Sequence, residues 1–201
     1  MNIFDYLNIN GHVTVHKLFD DGKEELVYDD HNVIVSGMGV GLSCFFGLSG
    51  SDSVLDYQID RFQLGVSGNI ANEVSSTNRL SSSLSSFSEY VGTNGEIETA
   101  SANQFAGSLI AQTIWYGLIP AHNITRINEK SVRYTIIVDK DSCNNLTRNG
   151  QPVNINELGL FMKNPLDIYP TIAPILVAYK VISNIRKTSD FGLIFRWTLN
   201  F

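Results

Sequence analysis

The sequence contains no G-x-S-x-G elbow, no P-loop Lys-Ser/Thr pair, no C-x-x-C pair and no run of 18 apolar residues. The first two absences remove the local signatures of an activated serine and of a phosphate cradle. The cysteines, Cys44 and Cys143, stand far apart and offer neither a zinc knuckle nor a disulfide framework, so free buried thiols are expected. Without an 18-residue apolar run no membrane span is expected. Met1 to Asn10 carries Asp5 and no Lys or Arg, so no secretory signal is expected either. On this reading the mature chain starts near Met1, in a reducing compartment or an assembled particle. Basic charge is also scarce: 14 Lys+Arg face 20 Asp+Glu, a net charge of -6. That balance argues against nucleic acid and acidic membranes as partners. What is present, 43% hydrophobic and 17% charged residues over 201 positions, fits one packed soluble domain.

Period-two alternation dominates the chain. His12-Val13-Thr14-Val15-His16-Lys17-Leu18, the turn residues Asp20-Asp21-Gly22-Lys23 and Glu25-Leu26-Val27-Tyr28 predict a β-hairpin. Ile59 to Val66, Ser131 to Asp139, Val153 to Lys163, Ile175 to Val181 and Leu193 to Phe201 read as further strands, and Gly107 to Gly117 as an extended segment. Between Ser36 and Gly47, apolar Met38, Leu42, Phe45 and Phe46 recur at helical spacing. A short helix is expected there, capped by Ser36 and ended by Gly47, with its interior glycines serving close packing. Roughly eight strands with little helix predict a mainly β fold, an antiparallel sandwich or jelly roll, in a single domain spanning 1-201.

Residues that could carry chemistry are isolated from one another. His12 and His16 on one strand would stand roughly 13 Å apart, too far to share an ion, and are expected to face solvent. Gly37-Met38-Gly39-Val40-Gly41 lacks the third glycine of a dinucleotide fingerprint, because Leu42 occupies it. Asp139-Lys140-Asp141-Ser142-Cys143-Asn144 opens like a calcium loop, but Cys143 replaces an oxygen ligand and no Glu closes the loop, so a surface turn is expected. No catalytic, metal or cofactor site is expected, and no small-molecule substrate. The Ser-rich stretch from Val74 to Ser88 holds only Leu80, Leu84 and Phe87 as apolar groups, too few to fix its backbone alone. Those three side chains are the expected interface residues of an arm that orders on a neighbouring subunit.

Several segments resemble, in order, a family of small tailed-bacteriophage virion proteins found among tail, baseplate, collar and fibre-attachment components. They are Gly11-His12-Val13-Thr14-Val15, Asn32-Val33-Ile34-Val35-Ser36-Gly37-Met38-Gly39, Phe62-Gln63-Leu64-Gly65-Val66-Ser67-Gly68, Asn156-Glu157-Leu158-Gly159-Leu160-Phe161, Ile175-Leu176-Val177-Ala178-Tyr179 and Lys187-Thr188-Ser189-Asp190 running into Phe195-Arg196-Trp197-Thr198-Leu199-Asn200-Phe201. The segment from Phe87 to Arg133 is longer than in that pattern. The resemblance implies a non-enzymatic structural component of a phage tail, neck or baseplate, assembled in the host cytoplasm. Its partners would be other virion proteins and further copies of itself. The alternatives are a capsid decoration protein and a carbohydrate-binding jelly roll, for which Trp115 and Tyr116, pointing oppositely on a strand, offer at most one ring, while Trp197 is expected in the core. Residues 156 to 159 are expected to determine the fold, with Gly159 admitting close backbone and Glu157 serving turn amides.

Overall fold

The computed structural model describes residues 9–47, 54–66, 68, 89–91, 97–99, 116–148, 150–163 and 174–201. The first hairpin forms as the alternation predicts, with β1 (Asn10–Leu18) antiparallel to β2 (Glu24–Ile34). Its turn is closed by the Gly22 N–H on the Phe19 carbonyl and the Lys23 N–H on Asp21 Oδ1, and Gly22 takes a φ of 80° that favours glycine. A bulge between Val15 and His16 offsets the register, so β2 runs through Asn32 to Ile34 without a break. The helix α1 (Ser36–Phe46) follows directly. Val35, not Ser36, holds the N-cap position, and no side chain caps it. A Cβ at Gly37 would overlap the Leu176 carbonyl oxygen and one at Gly41 would strike Met162, which accounts for the glycines as close packing.

The remaining strands are β3 (Ile59–Gly65), β4 (Glu89–Val91), β5 (Ile97–Thr99), β6 (Tyr116–Leu118), β7 (Ile124–Asn128), β8 (Ser131–Val138), β9 (Thr147–Arg148), β10 (Gln151–Pro152), β11 (Ile155–Met162), β12 (Ile175–Ile185) and β13 (Gly192–Asn200). Among the described residues, nine of the thirteen strands make one antiparallel sheet in the order β6-β3-β11-β12-β2-β1-β13-β8-β7, while β4 with β5 and β9 with β10 form separate two-stranded pairs. The expected mainly β, antiparallel architecture with one α-helix is therefore present among the described residues, with nine strands in one curled sheet rather than in two separate layers.

That sheet must curl. Laid flat, eight strand spacings would hold β6 and β7 about 38 Å apart. Yet only residues 119–123 separate the two edge strands in the chain, and six residue steps reach at most about 21 Å. Both halves accordingly line one core. Val13 and Val15 lie opposite Trp197 and Phe195, which lie opposite Tyr134 and Ile136. These residues cluster with Phe62, Leu64, Leu158, Leu160, Ala178 and Ile34 from the other half. At the hinge between halves, β2 and β12 share only the pairs Ala178–Ile34 and Tyr179–Val33. Beyond them the seam is held by side chains: Lys180 Nζ lies 3.0 Å from Asp30 Oδ2, and the Tyr28 hydroxyl donates to the Val181 carbonyl at 3.0 Å.

Candidate functional site

Among the described residues, the outer face of β2, β1, β13 and β8 gathers a row of polar and charged side chains. Alternation turns His12, Thr14 and His16 away from the core, and the register places His31 opposite His12, Asp29 opposite Thr14, Thr198 beside His12 and Arg196 beside Thr14. His12 Nε2 pairs with Asp29, and the His12 and His31 rings meet edge to face at 5.5 Å. One row on, Arg196 donates to both Glu24 oxygens at 2.7 and 2.8 Å and lies 3.2 Å from His16 Nδ1. Burial and the Arg196 charge hold His16 below the usual imidazole range, while the Arg196 hydrogen bond lowers Glu24. His12 and His16 face outward, as expected. Their sequence spacing does not reveal that His31 is the true neighbour of His12, because that contact depends on the bulged register of the hairpin.

A second polar group lies in the other half, where β3, β11 and β12 meet. The two glycine-bearing segments of the sequence interlock here. Asn156 Oδ1 accepts from the Gly68 N–H at 2.8 Å and its Nδ2 donates to the Gly68 carbonyl at 3.3 Å. A Cβ at Gly65 would overlap the Glu157 carboxylate, and one at Gly68 the Asn156 carbonyl. The Tyr179 hydroxyl donates to Glu157 Oε2 at 2.7 Å in a buried setting. Asn156 thus clamps the Gly68 backbone, and Gly65 and Gly68 are points of close approach beside Glu157 and Asn156. Among the described residues Gln63, fully buried on β3, has no hydrogen-bond partner on either amide atom.

The loop from Asp139 to Asn145 explains the partial likeness to a calcium loop. Its oxygens wrap an ammonium instead. Lys187, 2% exposed, donates to the Lys140 carbonyl, Asn144 Oδ1 and the Thr188 carbonyl at 2.9, 2.9 and 2.7 Å, with the Phe191 ring at 5.3 Å. Cys143 and Asn145 take positive φ, 59° and 51°, to turn the loop around it. Burial lowers the Lys187 pKa, and the Asp141, Asp139 and Asp190 charges oppose that shift. Burial raises the neighbouring Cys143 thiol, so Cys143 is an inert core thiol, whereas Cys44 is half-buried.

A further feature of the described surface is apolar. Helix α1 contains no charged residue. It exposes Val40, Phe45 and Phe46, with Phe46 at 76%, beside Leu55 at 70% in the following 3-10 turn. Phe45 packs edge to face on Phe46 and on Tyr57, at 5.8 and 6.1 Å. A cavity of about 180 Å³ lined by Asn145, Leu146, Thr147, Pro152, Val153 and Arg186 lies elsewhere, smaller than the roughly 300 Å³ of small-molecule sites.

Leu80, Leu84, Phe87 and Trp115 lie outside the described residues, as does the Val74 to Ser88 segment. Trp197 is fully buried on the inner face and presents no ring to a sugar. Among the described residues no three His, Cys, Asp or Glu side chains converge on a metal position, and no helix is long and apolar enough to cross a membrane. No family model, curated protein or solved structure matches this chain.

Proposed function

We propose that the chain is a non-enzymatic assembly component of a tailed-phage particle, from its tail, neck or baseplate, that docks on copies of itself and on other virion subunits. The observation that carries the docking role is the exposure of Phe45 and Phe46 at the end of α1 and of Leu55 in the 3-10 turn that follows. Contiguous apolar side chains left in water mark protein contact surfaces, and aromatics supply most of the burial when such surfaces close. The phage assignment rests on the ordered segment resemblance. The motif residues within it are used to build the sheet: Asn156 clamps Gly68, Gly65 admits Glu157, and Gly37 lets α1 approach β12. In this reading the two halves of the curled sheet act as the layers of a sandwich, and the 74–88 segment, with Leu80, Leu84 and Phe87, is a second contact.

The test is whether purified tailed-phage particles that encode the chain contain it, and whether Phe46→Asp with Leu55→Asp removes it from them. Incorporation of the parent chain and loss of the variant are expected. A chain absent from particles, or a double variant incorporated like the parent, overturns the proposal.

A further inference from the structure

We infer that His12 and His31 form a two-imidazole site for a borderline transition-metal dication, Zn²⁺, Ni²⁺ or Cu²⁺, on the outer face of the first hairpin. The two residues are directly opposed across β1 and β2. Opposed side chains on one sheet face start about 5 Å apart at Cβ, close enough for both rings to reach one ion. Their ring centroids lie 5.5 Å apart with planes crossed at 70°. With metal–nitrogen bonds of about 2.0–2.1 Å and ring nitrogens about 1.2 Å from their centroid, two imidazoles on one tetrahedral ion hold their centroids about 5.3 Å apart. The separation therefore matches a chelate, and the crossed rings need only turn about their side-chain bonds to bring one nitrogen of each onto the ion.

The surrounding groups suit the same ion. Asp29 pairs with Nε2 of His12. A carboxylate accepting from one ring nitrogen fixes the tautomer, leaves the lone pair on the other and raises its basicity, the arrangement found behind metal-bound histidines. Among the described residues, Nδ1 of His12 and the ring nitrogens of His31 have no hydrogen-bond partner. The side chain of His12 is 38% exposed and that of Asp29 51%, and His31 is exposed, so an ion reaches the pair from solvent. Asp29 is engaged with His12, and among the described residues no three-residue metal cluster is present. The site is then a bidentate chelate whose other positions are filled by water. Imidazole ligands select zinc, nickel and copper, and hard Mg²⁺ and Ca²⁺ do not compete. His16 lies two residues beyond Thr14 on the same face but is held by Arg196 and takes no part.

Isothermal titration of the full chain, carrying no histidine tag, with ZnCl₂ and separately with NiCl₂ tests the site. One saturable site is expected. It is lost in His12→Ala and in His31→Ala, weakened about tenfold in Asp29→Asn, and unchanged in His16→Ala; MgCl₂ gives no heat. Substoichiometric Cu²⁺ on the unaltered chain provides a readout that needs no variant: the imidazole signals of His12 and His31 broaden in NMR spectra before those of His16 and His122. No saturable uptake of either ion, uptake that survives both alanine variants, or equal broadening of all the histidines overturns the assignment.

Discussion

The two halves of the curled sheet solve burial differently. In β1, β13 and β8 one face is wet, and the chain alternates residue by residue: Trp197 and Phe195 are fully buried while Arg196 and Thr198 are half-buried. In β3, β11 and β12 both faces are covered, and Glu157 to Met162 is buried without interruption. A half with one wet face can place charge on alternate positions at little cost. A half with none must bury whatever its sequence holds, and here that includes Gln63, Glu157 and Lys180. Its polar groups are consequently confined to hydrogen-bonded pairs such as Tyr179–Glu157, with Gln63 the exception.

The largest effects should separate the halves by adjacent residues. Trp197→Ala is expected to cost about 3–5 kcal/mol, and its neighbour Thr198→Ala no more than about 1 kcal/mol. In the other half, the neighbours Leu160→Ala and Phe161→Ala should both cost about 2–5 kcal/mol, because neither faces water. Denaturant unfolding of the four variants checks this; a cheap substitution at Phe161 would mean that the second face of β11 is open.

Next in size is Lys187→Met, which leaves two carbonyls and Asn144 Oδ1 without their donor. A loss of about 2–4 kcal/mol is expected, with faster amide exchange confined to residues 139–146 and 186–191. Gln63→Met should move the other way. It removes an amide that has no partner among the described residues and is expected to stabilise by about 1 kcal/mol in thermal melts. A destabilisation would reveal a water that the amide holds.

The smallest effects are those of pH, and they belong to the wet half and the seam. The folded pKa of His16 lies below 6.5, so the unfolded chain binds more protons between the two values. Stability is therefore whole above about 6.5 and falls as pH drops through the folded value; His16→Gln should flatten that part of the melting profile. For Asp30, burial would raise the pKa, but hydrogen bonds from Lys180, the His31 N–H and Tyr28, with the Lys180 charge, bring it below 3.8. Its contribution is present above the unfolded value and is lost as pH falls through the folded one. Asp30→Asn should remove that acid-side decline.

The same contrast governs what the sequence reveals. Strands β1, β8 and β13 are legible because one wet face imposes period two, and Trp197 falls on the core side by counting. Strand β11 is legible as a strand, but the bulge after Leu160 makes its faces unreadable. Strand β7 is missed because Ile124-Thr125-Arg126-Ile127-Asn128 is an exposed edge with no apolar alternation. The curl follows from the short link between β6 and β7, and the His12–His31 contact from a hairpin register. Neither is a property of any local pattern. The Lys187 ammonium was equally hidden, because its loop ligands lie more than forty positions away.

The docking claim is tested most directly by native mass spectrometry of the purified chain beside Phe46→Asp with Leu55→Asp, with matching melting temperatures as the check on folding. The account predicts oligomers of the parent chain that rise with concentration, and a double variant shifted to monomer. Identical mass distributions for the two proteins would contradict it.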